Sequence, residues 1–518
     1  MIERASLLST LRRLTGQSLV YGSADVASHV LNLILTPLYV KYLAPREVGI
    51  LAILFLFSSV AKIVFRMGLE SGFFRIHYDL NSETERRRLA GTVALFSAAS
   101  GAVLFLGIVL GAPFVARQLF EERGPELTRL VILVASDIYV GTFLFIPLSL
   151  LRIQNRPARF ATLIAGRNLF NTALKVALLV YGFGLTGVLW SDLVATGALA
   201  LALSPIFLAG ARPAWDLGLL RAVLAFSLPK VPHGFFVQIL NLADRKVLAH
   251  FHGLEATGIY NQGYALGTGI KFVLTPFETA WQPFVYSHVG REDGPRVFAR
   301  VATYVWAAFL TVGLTVAVLG RELLIAFTFT RPAFWAAAPI VPIVTLAYLF
   351  HGAFLLTSIG IGIEKKARYY PVITGSAAAV NLTANFLLIP GWGMFGAAWA
   401  TVAAYAVMAV MGFFLSQRLY PIAFQKARLA RLTAAALLTF FLSTLAPQPA
   451  LETIPAGTLL TLRHFLLDVA PRVLLPSVLA KLAILATFPA LVVVFGVLSR
   501  EEWAWLRNRL AAGGNNGK

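Results

Sequence analysis

The chain has no cysteine, which excludes disulfides, thiolate metal sites and a cysteine nucleophile. Charge is also scarce. Only 13% of residues are Asp, Glu, Lys or Arg, against 58% apolar. With a mean hydropathy of +0.75, that balance excludes a soluble globular protein. Acids are the scarcer sign, 24 against 44 basic residues. The resulting net charge of +20 is spread over many short loops, so membrane topology accounts for it and no nucleic-acid partner is expected. No Walker-type Gly-Lys-Ser/Thr occurs, and direct drive by ATP is not expected. The one long loop, 447–472, holds Glu452, Arg463, His464 and Asp468 in no recognisable constellation. Neither a catalytic site nor a metal or cofactor site is therefore expected, and an enzyme is disfavoured.

What remains is a recurrence of apolar segments of about 20 residues, the length that crosses a bilayer. Helices are the structures that satisfy their own backbone there. The segments predict an all-α polytopic membrane protein with spans near 17–42, 47–71, 89–113, 127–150, 159–182 and 186–209. A second set follows at 219–244, 256–286, 296–319, 335–361, 368–389 and 393–417, then two more at 428–446 and 473–498. Alternate loops are strongly basic, for example Arg86-Arg87-Arg88 and Lys365, Lys366 and Arg368, whereas the turns at 182–186 and 390–394 carry no charge. The positive-inside rule then places both termini in the cytoplasm. Residues 1–17 read as the start of an uncleaved anchor, with a short amphipathic helix over 5–14.

The chain repeats itself at a constant spacing of 209 residues. Leu31-Asn32-Leu33 matches Leu240-Asn241-Leu242, Gly49-Ile50 matches Gly258-Ile259, and Lys62 matches Lys271. Further along, Gly182, Gly184, Gly187 and Trp190 fall on Gly391, Gly393, Gly396 and Trp399. This Gly-x-Gly-x-x-Gly pattern sits in a turn between apolar spans and lacks the strand of a dinucleotide site. A register this long indicates a duplicated unit. Six spans per unit is an even number, so the copies are parallel and form two lobes around a central cavity. The expected divisions are 1–217 for the first lobe, 218–420 for the second, and 421–518 for two extra helices, the external insertion 447–472 and a cytoplasmic tail. Those extra helices either form a lipid-facing groove or brace the second lobe.

Ionisable residues at membrane depth cost about 2.5–3.5 kcal/mol each on the mildest scale and so require a reason. Lys62 and Arg66 share a face of the second span. Arg167, Asn171 and Lys175 form a stripe on the fifth. Lys230, His233 and Asn241 lie on the seventh, and Lys271 and Glu278 on the eighth. Asp25 and His29 share a face of the first, where they offer a coupling site for a proton. Lys62, Arg66, Arg167, Lys175, Lys230 and Lys271 together predict a basic cavity for an anionic substrate. Asp25, His29, Asn171, His233, Asn241 and Glu278 are candidates for its polar or coupling groups. Blander readings stand beside these. Arg66 pairs with Glu70, Asn171, Asn381 and Asn385 bond helices together, Asp244 and Arg245 form a local pair, and His233 and His351 are satisfied core residues.

The two six-span units, the pattern from Ala243-Asp244-Arg245 to Gly258-Ile259-Tyr260, and Phe73-Phe74-Arg75 resemble the Wzx-type oligosaccharide flippases. These are polysaccharide exporters of the multidrug/oligosaccharidyl-lipid/polysaccharide (MOP) superfamily, and the likeness covers roughly residues 17–420. The resemblance implies translocation of undecaprenyl-pyrophosphate-linked sugars by alternating access in the bacterial inner membrane. It also implies a lipid-linked oligosaccharide substrate in contact with membrane lipid, with polymerase and chain-length proteins as partners. Two alternatives share the fold: a cation-coupled multidrug exporter, for which Asp25, Asp137, Asp192 and Glu278 are available acids, and a lipid II flippase.

Overall fold

The computed structural model describes residues 36–447 except 123, 155, 290 and 291, and beyond them 465, 470, 471 and 474–496. Among the described residues the chain is helical throughout, with no strand. Ten helices are long and apolar enough to cross a membrane, against the fourteen spans expected. Three causes account for the difference. Only 36–42 of the first span is described. Spans eleven and twelve run together in one 51-residue element, Tyr369–Leu419. The seventh and eighth share the 37-residue element Val231–Gly267, interrupted at Gly253, which carries the charged run Asp244-Arg245-Lys246.

The first unit runs as α1 (Pro45–Arg66), α2 (Leu69–Asp79), α3 (Glu83–Leu110), α4 (Ala112–Phe120), α5 (Pro125–Thr142), α6 (Phe145–Ile153), α7 (Pro157–Val180) and α8 (Gly184–Gly210). Proline starts α1, α5 and α7, where its missing N–H costs nothing. The second unit opens with α9 (Leu217–Ser227), capped by the Asp216 carboxylate, which accepts from the Gly218 and Leu219 amides at 3.0 and 3.1 Å. After a 3-10 turn, Leu228–Lys230, come α10 (Val231–Gly267), the turn Thr268–Ile270 and α11 (Lys271–His288). Then follow α12 (Gly294–Phe327), α13 (Ile340–Thr357), α14 (Ile359–Ile363) and α15 (Tyr369–Leu419).

The 209-residue register is present in the geometry. Gly184 and Gly393 both have φ +52°, a left-handed conformation that glycine alone adopts without strain, and each reverses the chain between two long helices. Gly187 and Gly396 follow at points where a side chain would collide with Leu178 and with the Leu388 backbone. The glycine pattern is thus a turn followed by a close helix crossing.

The first and second units meet at α1 and α10. A methyl group built on Gly49 would overlap the Leu254 carbonyl, and one on Gly258 would overlap the Pro45 carbonyl. Pro45 and Leu254 are themselves 209 residues apart, so the contact is reciprocal, as a two-fold axis between copies would make it. At the same end Glu121, just after α4, accepts from Lys246 at 2.7 Å and lies 2.8 Å from a ring nitrogen of His250. The far end of the contact is set by Gly72 of α2, which lies against Val223 and Ser227 of α9.

The extra helices α16 (Lys426–Thr444), α17 (Leu475–Leu485) and α18 (Thr487–Val494) brace the second unit. Leu432, Ala435, Ala436 and Phe488 pack on Leu310, Leu314 and Val318 of α12. Beside them Lys481 of α17 donates to Glu322 of α12 at 2.7 Å, both side chains almost wholly buried. Most of the insertion 447–472 lies outside the described residues, as does the tail beyond 496.

We expect Gly258→Val to destabilise the purified protein by about 1–3 kcal/mol, the usual cost of overpacking. Gly166→Ala, where the added carbon meets nothing within 4 Å, should leave the thermal midpoint unchanged. Equal midpoints for the two would remove the close crossing as a constraint. A second expectation concerns Glu121. Its hydrogen bond from Lys246, reinforced by His250, holds the carboxyl below the usual carboxylate range. A lowered pKa means the clamp is complete at neutral pH and is lost as pH falls through that lowered range. Spin labels at the exposed Gln118 and Glu255 should give one narrow distance distribution at pH 7 that broadens in Glu121→Gln; an unchanged distribution would show that the clamp holds nothing.

Candidate functional site

Among the cavities lined by described residues, two hold predicted cations. The first, of about 610 Å³, is lined from α1, α5, α7, α8 and α10 by Lys62, Asp137, Arg167, Asn171, Lys175, Asp192 and Arg245 among others. The helical stripe on α7 presents its polar residues to α8, as its spacing predicts. Lys175 and Asn171 both donate to Asp192 Oδ1, at 3.0 and 2.8 Å. Arg167 donates to the Thr196 hydroxyl at 3.0 Å, and that hydroxyl donates to Asp137 at 2.6 Å. Lys62 reaches Asp137 from the other side, at 4.0 Å. Arg167 Nε and Asn171 Oδ1 are buried there without a partner.

Arg245 enters the same chamber from α10, 5% exposed. It is held by Asp244 at 2.8 Å and by the Asn241 carbonyl at 2.8 Å, and it stacks on Tyr264 at 4.2 Å from the ring centre. The Tyr260 hydroxyl donates to the second oxygen of Asp244 at 2.6 Å. The expected local pair is therefore present, but deep in the bundle and facing a cavity. Four cations thus face two carboxylates in this chamber, Asp244 standing behind Arg245 as its counter-ion.

The second chamber, of about 580 Å³, lies wholly within the second unit and is lined by Asn241, Lys271, Glu278, Trp281, Tyr348, His351 and Tyr405 among others. The Lys271 ammonium sits 4.7 Å over the Tyr348 ring, a cation–π contact. Tyr405 donates to the Asn241 side chain at 3.0 Å. Asn241 lines this chamber and Arg245, one turn along α10, lines the first, so a single helical turn separates them.

The predicted residues therefore divide. Lys62, Arg167, Asn171 and Lys175 share the first chamber, while Asn241, Lys271 and Glu278 share the second. Lys62 and Lys271, equivalent in the repeat, line different chambers and do not face each other across one. Arg66 is exposed, and Glu70 pairs with Arg152 at 2.7 Å, so the Arg66–Glu70 pair is not formed. Lys230 lies in the turn before α10 and His233 in its first turn. Asp25 and His29 lie outside the described residues. Asn385 donates to Asn381 on the same helix at 3.0 Å, which joins no second helix. Residue spacing missed Asp137 and Asp192 as the partners of the cations and Arg245 as a chamber residue. The available signal for Arg245 was its place one turn from Asn241.

This arrangement of broken apolar helices around charged chambers is similar in fold to solved transporters of the MOP superfamily. A lipid II flippase MurJ in an inward closed conformation superposes with a TM-score of 0.67 at 14% identity, over 91% of this chain and 98% of that one. A multidrug resistance MATE family transporter of the MOP superfamily superposes in its inward-facing conformation with a TM-score of 0.60 at 14% identity, over 76% and 94%. A MOP superfamily transporter from Pyrococcus furiosus gives 0.55 at 14%, over 79% and 94%. At such identities the likeness is one of fold. Comparison with curated protein sequences gave no match. Residues 40–294 match the model of a family described as polysaccharide biosynthesis protein. That match spans just under half of the chain and, with the likeness in fold, supports the resemblance read from the sequence.

We expect Asp244→Asn to cost about 3–5 kcal/mol, because it strands a buried guanidinium. Tyr260→Phe, which removes one hydrogen bond to a charged group, should cost less, about 1.5–3 kcal/mol. Denaturation of both variants in detergent would check the order; a harmless Asp244→Asn would mean that Arg245 is solvated in the protein.

Proposed function

We propose that the chain translocates undecaprenyl-pyrophosphate-linked oligosaccharide units across the bacterial inner membrane by alternating access, for surface polysaccharide synthesis. The observation that carries this reading is the first chamber, where Lys62, Arg167, Lys175 and Arg245 face only Asp137 and Asp192. With Asp244 counted as the counter-ion of Arg245, four cations meet three carboxylates; that positive excess suits a pyrophosphate diester, and a low-dielectric wall strengthens the attraction. Lys271 in the second chamber and Arg66 and Lys230 toward the basic loops are part of the same proposed path. The undecaprenyl chain stays in lipid, and the two units rock about the bound headgroup.

The same geometry counts against export of cationic drugs, since Asp137 and Asp192 are already engaged by Thr196, Lys175 and Asn171. The lipid II reading shares the fold, but the family match supports polysaccharide synthesis. In this proposal both termini are cytoplasmic, Asp25, His29 and His233 are the groups to examine for proton coupling, and polymerase and chain-length proteins act on the product.

In a strain lacking the gene, lipid-linked oligosaccharide should accumulate on the cytoplasmic face of spheroplasts. Wild type should restore its outward movement, whereas Arg167→Ala and Lys271→Ala should lower it more than tenfold at unchanged membrane abundance. Normal movement with both variants would sink the cationic path, and unchanged sidedness with heightened sensitivity to cationic drugs would favour the exporter.

A further inference from the structure

The second chamber differs from the first in its chemistry. Its walls are aromatic, with Trp281, Tyr286, Tyr348, Tyr370 and Tyr405, and its charge is one base and one acid, Lys271 and Glu278. A chamber without surplus charge has no reason to select an anion. Two of its polar atoms are buried without a partner, Trp281 Nε1 and His351 Nδ1. Trp281 is 4% exposed, with its ring stacked on Phe284 and tilted against Phe277, so what it offers the cavity is its N–H. An orphaned donor at such a depth destabilises the protein, and a ligand that accepts from it recovers that loss. Trp281 can only donate, the Glu278 carboxylate can only accept, and the tyrosine hydroxyls do both. The matching ligand is uncharged and carries donors and acceptors on every side, with apolar ring faces between them. That description is of a sugar.

We propose that this chamber seats a neutral sugar of the lipid-linked substrate while the first chamber holds the pyrophosphate. The assignment rests on the flippase reading above and adds where the glycan goes. Its volume of about 580 Å³ falls in the usual range for a ligand site, about 300–1,000 Å³. The turn from Asn241 to Arg245 separates the chambers by about 6 Å of helix rise, a span that a sugar joined directly to a pyrophosphate covers. The Arg245 guanidinium bonded to the Asn241 carbonyl, and the Asn241 side chain bonded to Tyr405, lie where the two chambers adjoin.

The test compares four probes on the purified full-length protein by native mass spectrometry. They are bare undecaprenyl pyrophosphate and the same carrier bearing N-acetylglucosamine, glucose or galactose. At least one sugar-bearing carrier should bind wild type more tightly than the bare one. Trp281→Phe and His351→Phe, which keep a ring and remove one polar group, should each lower that advantage about three- to tenfold, the value of one hydrogen bond. Binding of bare carrier should be retained, and it doubles as the check on folding; if one variant fails it, the other decides. No sugar advantage in wild type, or an advantage that both variants keep, overturns the seat. The pyrophosphate placement is judged separately, because Arg167→Ala must weaken bare carrier whatever the sugar does.

Discussion

Two backbones crossing with nothing between them is the constraint on which this structure depends. Gly49 and Gly258 lie against the carbonyls of Leu254 and Pro45 in a reciprocal contact, and no side chain larger than hydrogen fits at either point. The contact sits near the start of α1 and just after the break at Gly253 in α10, and the first chamber is lined from the same two helices. In a membrane, where lipid is as apolar as leucine, close packing of small residues is a principal source of helix association. The Glu121 clamp with Lys246 and His250 adds a polar closure at the same end. The joint thus combines a steric fit with a contact that protonation can release.

Charge inside the bundle follows a second rule, that a buried ion is retained with a partner. Lys175 has Asp192, Lys62 has Asp137, and Arg245 has Asp244. The first chamber still keeps more cations than acids, and Arg167 acts through Thr196 on an acid that Lys62 already approaches. Binding of an anion there would redistribute these contacts without leaving an ion bare. The second chamber reaches near-neutrality and keeps its unpartnered groups on rings.

Much of the fold was legible because hydrophobic length and glycine placement are local properties. The spans from 89–113 to 186–209 fall within a few residues of α3 to α8, and the glycine register anticipated the matching φ angles of Gly184 and Gly393. The stripe Arg167, Asn171 and Lys175 was legible for the same reason, since spacing along one helix fixes which residues share a face. What faces that stripe was not. Asp192 arrives from α8 and Asp137 from α5, and nothing in the spacing of one helix names its neighbour. The repeat misled in one respect, by suggesting that Lys62 and Lys271 meet. The first chamber is shared between the first unit and α10, and the second lies within the second unit, so these two residues face different spaces. The broken eighth span was hidden because the turn Thr268–Ile270 lies in a mostly apolar stretch with no proline until Pro276.

The Glu322–Lys481 pair bears on how the chain is made. A lysine at bilayer depth costs about 2.5–3.5 kcal/mol to insert on the mildest scale, a cost that the apolar residues of α17 and α18 offset; what they cannot supply is a partner for the charge. Its counter-ion stands in α12, which leaves the ribosome about 150 residues earlier, far longer than a single span takes to emerge at about 5–20 residues per second. The segment 475–494 therefore enters a membrane in which the carboxylate that pairs with Lys481 is already present. Its insertion is a docking step onto a finished neighbour, and a chain with an altered α12 would fail first at its C-terminal end.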